Sequence, residues 1–179
     1  MAIIIDTNCL SRVFNRKNKE FSEFKPVFDW IINGNGFIVY GGSKYEGELK
    51  KTQKYLGLFR ILNDLGKVYK CPETRKIDEL TNYYRMNYPI VDFDDPHLPA
   101  IVIVTKCRLI CSTDIRSIPY VTNPKMYPKK FVVPKYYQSR KDEKLLIDSN
   151  IDKRLKCHRT KLNKREKEKI NEFMSNKKI

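Results

Sequence analysis

Apolar positions along the chain follow two patterns, short continuous runs and longer stretches with helical spacing. The run "AIII" near the start and the run "GFIVYG" at residues 36–41 consist of adjacent bulky residues, which is typical of strands buried on both faces. Between them, apolar side chains recur every three or four residues up to the breaker Gly34-Asn35-Gly36, which predicts a helix. The same two patterns predict helices at 43–65, 73–87 and 96–106, and strands at "KVYK" and "RLICS".

The order of these elements indicates the fold class. Buried strands that alternate with helices are typical of an α/β fold with a parallel central sheet. A chain of 179 residues suffices for one domain with a sizeable core, and residues 1–134, which hold all the predicted strands, are assigned to that domain. Residues 135–179 are predicted to be a basic, partly helical extension, in which Asn163 and Glu166 fit a capping box.

Positive charge is the most pronounced property of the composition. The formal net charge is +15, and residues 135–179 contribute +8 of it, with fifteen Lys and Arg against seven Asp and Glu. A field of this sign attracts polyanions, so nucleic acid or the ribosome surface is the predicted partner class. An anionic membrane is the competing partner, but no convincing basic amphipathic helix or lipidation signal is found. The longest apolar runs also fall well short of the roughly 20 residues that cross a bilayer, so no membrane association is expected.

Cysteine usage and the first residues predict a cytoplasmic protein. The five cysteines are an odd number without a CxxC pair, which argues against a disulfide framework or a zinc knuckle. Such usage fits a reducing compartment. The first residues lack the charged lead, long apolar core and cleavage site of a secretory signal, so none is expected.

Acidic residues follow the predicted strands at the positions where parallel α/β sheets bind ligands. Asp6 and Asp114 come directly after apolar strands, and ligands gather at the carboxyl ends of such strands. Asp95 begins the helix that leads to the strand before Asp114, and Glu48 lies about one turn into the helix after the second strand. Carboxylates gathered in this way repel one another unless a hard divalent cation such as Mg²⁺ or Mn²⁺ binds between them. On so basic a chain the cation predicts phosphodiester cleavage, because it activates water and stabilises the charge on a scissile phosphate.

Two of these positions have neighbouring alternatives. Glu46 and Glu48 are two residues apart, so on a helix they diverge by about 200° and only one of them can face the others. Asp94 competes with Asp95 in the same way. Asp95 also fits the N-cap of the helix that follows, with Pro96 at its first position, and capping uses one carboxylate oxygen while it leaves the other free.

Four motifs in order carry a resemblance to a known family. The segments "IIIDTN", "KYEGEL", "DDPHLPAIV" and "ICSTD", at these separations, resemble the acidic signature of PIN-domain nucleases, most of all the small prokaryotic type. The resemblance spans residues 1–127. It implies a Rossmann-like three-layer α/β/α domain, metal-dependent endonuclease activity mostly on RNA, frequent toxin roles and frequent dimerisation. The chain departs from the family at Pro99 and at the bulky "IVIV" that follows, where the family often has small residues.

The resemblance also implies roles for individual residues. Asp6 and Asp114 correspond to core metal ligands. Glu48 is preferred to Glu46 because it stands in the "EL" of the family pattern, and the second aspartate of "DDPH" is preferred because of its spacing to the apolar helix. The predicted catalytic ligands of one or two Mg²⁺ or Mn²⁺ ions are therefore Asp6, Glu48, Asp95 and Asp114.

Residues beside these ligands have predicted supporting roles. Thr7 or Asn8 would shape the turn after the first strand, although Asn8 fits a helix cap equally well, and Thr113 would lie beside the metal. His97 is interpreted as a packing or hydrogen-bonding residue, because metal-dependent nucleases of this kind need no general base. The tyrosines in "TNYYRMNY" and "PKYYQ" are more typical of a half-buried core than of base stacking. The residues predicted to bind nucleic acid are Lys44, Lys129, Lys130, Lys135, Arg140 and Lys141.

The function predicted from these observations is that of a metal-dependent endoribonuclease. Single-stranded or structured RNA is the expected substrate, and DNA is the alternative. The basic extension is expected either to add salt-sensitive affinity for the substrate or to dock on an antitoxin or the ribosome. The alternative function is a non-catalytic RNA- or ribosome-binding module with a PIN-like fold.

Overall fold

Parallel strands form the centre of the molecule. A computed structural model describes residues 2–88, 93–147, 161–177 and 179. The strands are β1 (Ala2–Ile5), β2 (Phe37–Tyr40), β3 (Val68–Lys70), β4 (Leu109–Cys111) and β5 (Lys135–Tyr137). They form one five-stranded sheet in the order β3-β2-β1-β4-β5, and every pair is parallel. The central strand β1 pairs Ile3 with Ile38 of β2 and Ile5 with Cys111 of β4.

Helices connect the strands and cover both faces of the sheet. They are α1 (Leu10–Phe14), α2 (Phe21–Ile32), α3 (Ser43–Lys51), α4 (Gln53–Asp64), α5 (Thr74–Asn87), α6 (His97–Thr105), α7 (Ile118–Val121) and α8 (Lys164–Asn176). The chain runs from β1 to β3 in one direction across the sheet and from β3 to β5 in the other, so right-handed crossovers place their helices on opposite faces. Ile3, Ile4 and Ile5 are consequently all fully buried, although adjacent strand residues point to opposite faces. The predicted α/β class with a parallel sheet, in a Rossmann-like three-layer arrangement, is confirmed.

Two predicted helices differ in detail from the observed ones. The single helix expected at 43–65 is divided at Thr52, whose hydroxyl donates a 3.0 Å hydrogen bond to the carbonyl of Leu49 and which has left the helical conformation (φ −110°, ψ 72°). The helix expected from Pro96 begins one residue later, because Pro96 itself is the N-cap of α6. The prediction that Asp95 caps this helix with its side chain is wrong. Only its backbone carbonyl takes part, accepting from the N–H of Leu98 at 3.0 Å.

The predicted division of the chain after residue 134 falls inside the sheet. Strand β5 begins at Lys135 and pairs with β4, and the hydroxyl of its last residue, Tyr137, donates to the carbonyl of Glu23 at 2.8 Å. Helix α8 packs against α4 and buries Ile170 and Met174 in the same hydrophobic core. Some of the residues past 134 therefore belong to the main domain, because β5 pairs with the edge of β4 and α8 covers part of the core. The segment 148–160 of the predicted extension lies outside the described residues.

Three smaller expectations can be placed on the structure. The capping box at the start of α8 is confirmed, since Asn163 Oδ1 accepts from the N–H of Glu166 at 3.0 Å and Glu166 Oε2 accepts from the N–H of Asn163 at 2.8 Å. Among the described residues, no helix combines the length and the apolar composition that crossing a bilayer requires. Four cysteines of the described chain are buried free thiols, and Cys157 lies outside it.

Candidate metal site at the carboxyl edge of the sheet

Asp6 stands where β1 ends, beside the end of β4. The direction of the sheet connections changes between these two strands, which is where open α/β sheets bind ligands. The N–H of Asp6 donates to the carbonyl of Cys111 at 2.9 Å and continues the β1–β4 ladder. Its carboxylate accepts from Ser112 Oγ at 2.7 Å and from the N–H of Asn8 at 3.2 Å. Asp6 is only 5% exposed, and burial raises its pKa despite these hydrogen bonds.

Ser112 connects the ends of the two strands. It is fully buried, and its hydroxyl donates to Asp6 while it accepts from the N–H of Asp114 at 3.1 Å. The two aspartates that the sequence assigned as core ligands are thus joined through one serine. Sequence reasoning missed Ser112, although its place inside the motif "CSTD" was the available signal.

Glu48 of α3 faces the other carboxylates, whereas Glu46 faces the end of β3. Glu48 Oε2 accepts from the hydroxyl of Thr7 at 2.8 Å, and Glu48 Oε1 lies 3.0 Å from Lys44 Nζ one turn earlier on the helix. Glu46 instead forms a 2.9 Å ion pair with Lys70 at the end of β3. Burial acts to raise the pKa of Glu48, but the hydrogen bond from Lys44 and the neighbouring His97 and Thr7 outweigh it and lower the pKa.

Asp95 lies between the other carboxylates, just before α6. Its side chain is 17% exposed, and Asp95 Oδ1 lies 3.8 Å from Nδ1 of the buried His97. Burial, followed by the negative charges of Asp6, Asp94 and its other acidic neighbours, raises the pKa of Asp95 to about 7. Burial lowers the pKa of His97 to about 4, so its ring is neutral at pH 7.

Asp114 is held by an arginine that the sequence analysis did not select. Arg116 Nε and Nη2 donate to the two carboxylate oxygens of Asp114 at 3.0 Å and 3.1 Å, and Arg116 Nη2 also lies 3.4 Å from Asp94 Oδ2. The hydrogen bond from Arg116 is the main reason why the pKa of Asp114 is lowered. Arg116 therefore already supplies positive charge to one side of the carboxylates.

The five carboxylates Asp6, Glu48, Asp94, Asp95 and Asp114 are called the acidic cluster below. Ligand atoms of Glu48, Asp95 and His97 lie within 4.8 Å of one another, as do those of Asp94, Asp95 and Asp114, so that Asp95 belongs to both groups. Carboxylate oxygens with one imidazole nitrogen form a donor set that suits Mg²⁺ or Mn²⁺. The buried Nδ1 of His97 has no hydrogen-bond partner within the described residues, which leaves a polar atom that a bound ion would satisfy. The residues present thus fit a divalent cation.

The remaining predicted neighbours of the metal have more local contacts. Asn8 is exposed and contributes through its backbone, whose N–H donates to Asp6 and whose carbonyl accepts from Arg12 at 3.0 Å. The hydroxyl of Thr113 lies 3.8 Å from the thiol of Cys9. Thr7 donates to Glu48 with its side chain, and the side chain of Asn8 acts against the burial that raises the pKa of Asp6.

Half of the predicted nucleic-acid-binding residues lie at the other edge of the sheet. Lys135 is the first residue of β5, and Lys129 and Lys130 come shortly before it. Phe131 follows them directly, and its ring lies 5.3 Å from the ammonium of Lys106, which ends α6. Lys135 therefore lies at the amino edge of the sheet, opposite to the edge that holds Asp6 and Asp114.

The other predicted basic residues lie at the carboxyl edge. Lys44 contacts Glu48 directly, and Arg140 and Lys141 form the turn after β5. Tyr136 of β5, one of the tyrosines that the sequence assigned to a half-buried core, has a buried hydroxyl; burial and the charges of the acidic cluster raise the pKa of Tyr136. No sequence signal distinguished Tyr136 from its neighbour in "KYY", because only the sheet decides which of the two faces the cluster.

Replacing Asp95 with asparagine is expected to stabilise the metal-free protein at high pH. The pKa of Asp95 is about 7 when folded and 3.8 in the reference state, so the folded protein holds the proton more tightly and loses stability as pH rises between these values. Asp95→Asn removes this loss, and its gain in unfolding free energy is expected to be about 4 kcal/mol at pH 8 and about 1 kcal/mol at pH 4.5.

Urea unfolding of both proteins in EDTA at the two pH values measures this difference. The exposed Asp64→Asn on α4 serves as the control and is expected to change stability by less than about 0.5 kcal/mol at either pH. An Asp95→Asn protein that is less stable than wild type at pH 8 would show that burial and the neighbouring negative charges do not destabilise the ionised Asp95 carboxylate.

The function of this chain is inferred from its own residues. No protein-family model, curated protein or solved structure matches it. Glu48, Asp94, Asp95, Asp114 and the neutral His97 form two groups that share Asp95, and the buried Asp6 lies near enough for its charge to raise the pKa of Asp95. An arginine and a lysine contact this group from its two sides.

Proposed function

We propose that the protein is a metal-dependent nuclease of the PIN type that cleaves RNA. The observation that carries this proposal lies at the switch point of a parallel sheet, where carboxylates from three separate segments gather around Asp95 and the buried Asp6 raises the pKa of Asp95 by its charge. Asp6, Glu48, Asp95 and Asp114 would hold one or two Mg²⁺ or Mn²⁺ ions, with Asp94 next to them. The net charge of +15 supports a polyanionic substrate.

The protein's own residues would prepare this reaction by fixing the ligands. Ser112 and the N–H of Asn8 orient the carboxylate of Asp6, while Thr7 and Lys44 orient that of Glu48. A divalent cation bound there would lower the pKa of a coordinated water and offset the charge that develops on the phosphate. Such fixed ligands cost little reorganisation when the substrate binds.

Two cations beside the acidic cluster are suited to hold the phosphate backbone. Arg116 is 55% exposed in its side chain and Lys44 is 44% exposed, so both can reach substrate without unfolding. An arginine fork binds phosphate oxygens through paired hydrogen bonds, and an ammonium binds them as a point charge. Both would exchange a carboxylate partner for phosphate when metal neutralises the cluster.

The decisive experiment measures cleavage of RNA and of single-stranded DNA of the same sequence by the full chain. With Mn²⁺ or Mg²⁺ we expect internal cleavage of RNA, and with EDTA none. Tight RNA binding that weakens with salt, without cleavage in either ion, would favour the non-catalytic binding module instead. Cleavage that persists in EDTA would contradict the proposal.

Two glutamates on the same helix provide a matched pair of variants for this assay. Glu48→Gln is expected to lower the cleavage rate by at least about 10²-fold, because the amide is a poor metal ligand. Glu46→Gln, which removes only the surface ion pair with Lys70, is expected to stay within a few-fold of wild type. A Glu48→Gln protein that cleaves RNA as fast as Glu46→Gln and wild type would exclude Glu48 from the reaction.

A further inference from the structure

His97 occupies an unusual position at the start of α6. Its side chain is 3% exposed, and it packs edge-on against the fully buried ring of Tyr45, with the ring centroids 6.3 Å apart. Its two ring nitrogens face different carboxylates. Nδ1 lies 3.8 Å from Asp95 Oδ1, and Nε2 lies 4.0 Å from Glu48 Oε2.

These separations are too long for hydrogen bonds. An N–H···O bond has a length of about 2.7–3.2 Å, so neither ring nitrogen bonds its carboxylate directly. Nδ1 is shielded from solvent and has no hydrogen-bond partner within the described residues. Leaving such a buried polar atom unsatisfied costs about 1–3 kcal/mol, so a partner at this point would stabilise the protein.

The separation between Nδ1 and Asp95 Oδ1 suits two atoms that share a metal ion. With metal–ligand bonds of about 2.1 Å, two ligand atoms of one ion lie about 3 Å apart when adjacent and about 4 Å apart when opposite. The ligand atoms of His97, Asp95 and Glu48 fall within 4.8 Å of one another. The histidine therefore adds one nitrogen to the oxygen donors that the proposed nuclease site already contains.

We propose that Nδ1 of His97 is a metal ligand and that it makes the site prefer Mn²⁺ to Mg²⁺. Imidazole nitrogen binds first-row transition metals well, whereas Mg²⁺ favours oxygen ligands and retains its waters. Nε2 then faces Glu48 at 4.0 Å, without a direct hydrogen bond between them. The inference rests on the proposed function, because it assigns the ion of that same site.

Pulsed electron paramagnetic resonance of bound Mn²⁺ tests the ligand without an assay of activity. The full chain loaded with Mn²⁺ is expected to show the ¹⁴N modulation of a coordinated imidazole. The chain contains one other histidine, His158, so His158→Gln is the matched control and is expected to keep the modulation. His97→Gln is expected to lose it. Because the wild-type and His158→Gln spectra need no substitution at a buried position, the test holds even where His97→Gln fails to fold.

Calorimetry gives the corresponding affinities. His97→Gln is expected to weaken Mn²⁺ binding by about tenfold or more and Mg²⁺ binding by less than about threefold, while His158→Gln changes neither. Mn²⁺ binding without nitrogen modulation, or modulation that disappears in His158→Gln, would overturn the assignment of His97 and leave the proposed nuclease intact. Absence of any Mn²⁺ or Mg²⁺ binding to the wild-type protein would overturn both.

Discussion

Substitution of Asp6 and Asp114 together by asparagine is expected to abolish metal-dependent cleavage, with a loss on the order of 10³-fold or more. Both residues lie at the ends of adjacent central strands, and Ser112 connects them. Loss of two charged oxygen ligands removes most of the attraction for a divalent cation, since an amide oxygen carries no net charge.

The double variant is expected to remain folded, which makes the loss of activity interpretable. The pKa of Asp6 is raised by burial, so a neutral amide at this position removes an unfavourable charge, and Ser112 can still hydrogen-bond to it. At position 114, Arg116 loses its ion pair near the surface, which is expected to cost less than about 1 kcal/mol.

The measurement is cleavage of labelled RNA and of single-stranded DNA with and without Mn²⁺, beside circular dichroism and urea unfolding. The control replaces Asp29 and Asp64, which lie on α2 and α4 outside the acidic cluster, with asparagine and is expected to leave cleavage unchanged. Full cleavage by a folded Asp6→Asn, Asp114→Asn protein would end the metal-nuclease proposal.

Replacement of Lys67 by alanine is expected to destabilise the fold by about 3–5 kcal/mol. Lys67 is fully buried before β3, and its ammonium donates to the carbonyls of Gly34 and Gly36 at 2.9 Å and 3.0 Å. The alanine variant leaves these carbonyls without their donor and also creates a cavity where the aliphatic chain lay.

Lys67→Met separates these two contributions, because it keeps most of the volume and removes only the donor. Its expected cost is about 2–3 kcal/mol, between wild type and the alanine variant. The exposed Lys51→Ala at the end of α3 is the control and is expected to change stability by less than about 0.5 kcal/mol. Urea unfolding measures all three variants, and a change below about 1 kcal/mol for Lys67→Ala would show that the chain relaxes around the lost ammonium.

The acidic cluster shows that a sequence can predict which residues lie at the carboxyl edge of the sheet, but not which side chains there face one another. Strand ends follow from apolar runs, so Asp6 and Asp114 could be placed near each other without a structure. The choice between Glu46 and Glu48 depended on the rotation of α3 about its own axis. That rotation is fixed by packing, which buries Tyr45 and Leu49 and directs Glu46 to Lys70.

Contacts between segments far apart in the sequence could not be predicted from local sequence patterns. From the sequence, Arg116 cannot be distinguished from the other cations of this basic chain. In the fold, the turn after β4 brings its guanidinium group to Asp114 and Asp94. The sequence predicts a packing or hydrogen-bonding role for His97, but only the fold of α6 brings its ring nitrogens near Glu48 and Asp95. Strand β5 is only three residues long in a basic segment, too short for its own apolar pattern to identify it.

The sequence by itself determined the parallel α/β fold and the positions of the strand-end carboxylates, because burial on both faces requires continuous apolar runs and those runs end at identifiable residues. The tertiary structure alone decided which carboxylates meet and how deeply His97 is buried. It also decided that Ser112 joins Asp6 to Asp114 and that the sheet continues past residue 134. The physical reason is that these features depend on helix rotation and on pairing between segments about a hundred residues apart, and neither is encoded in a local period.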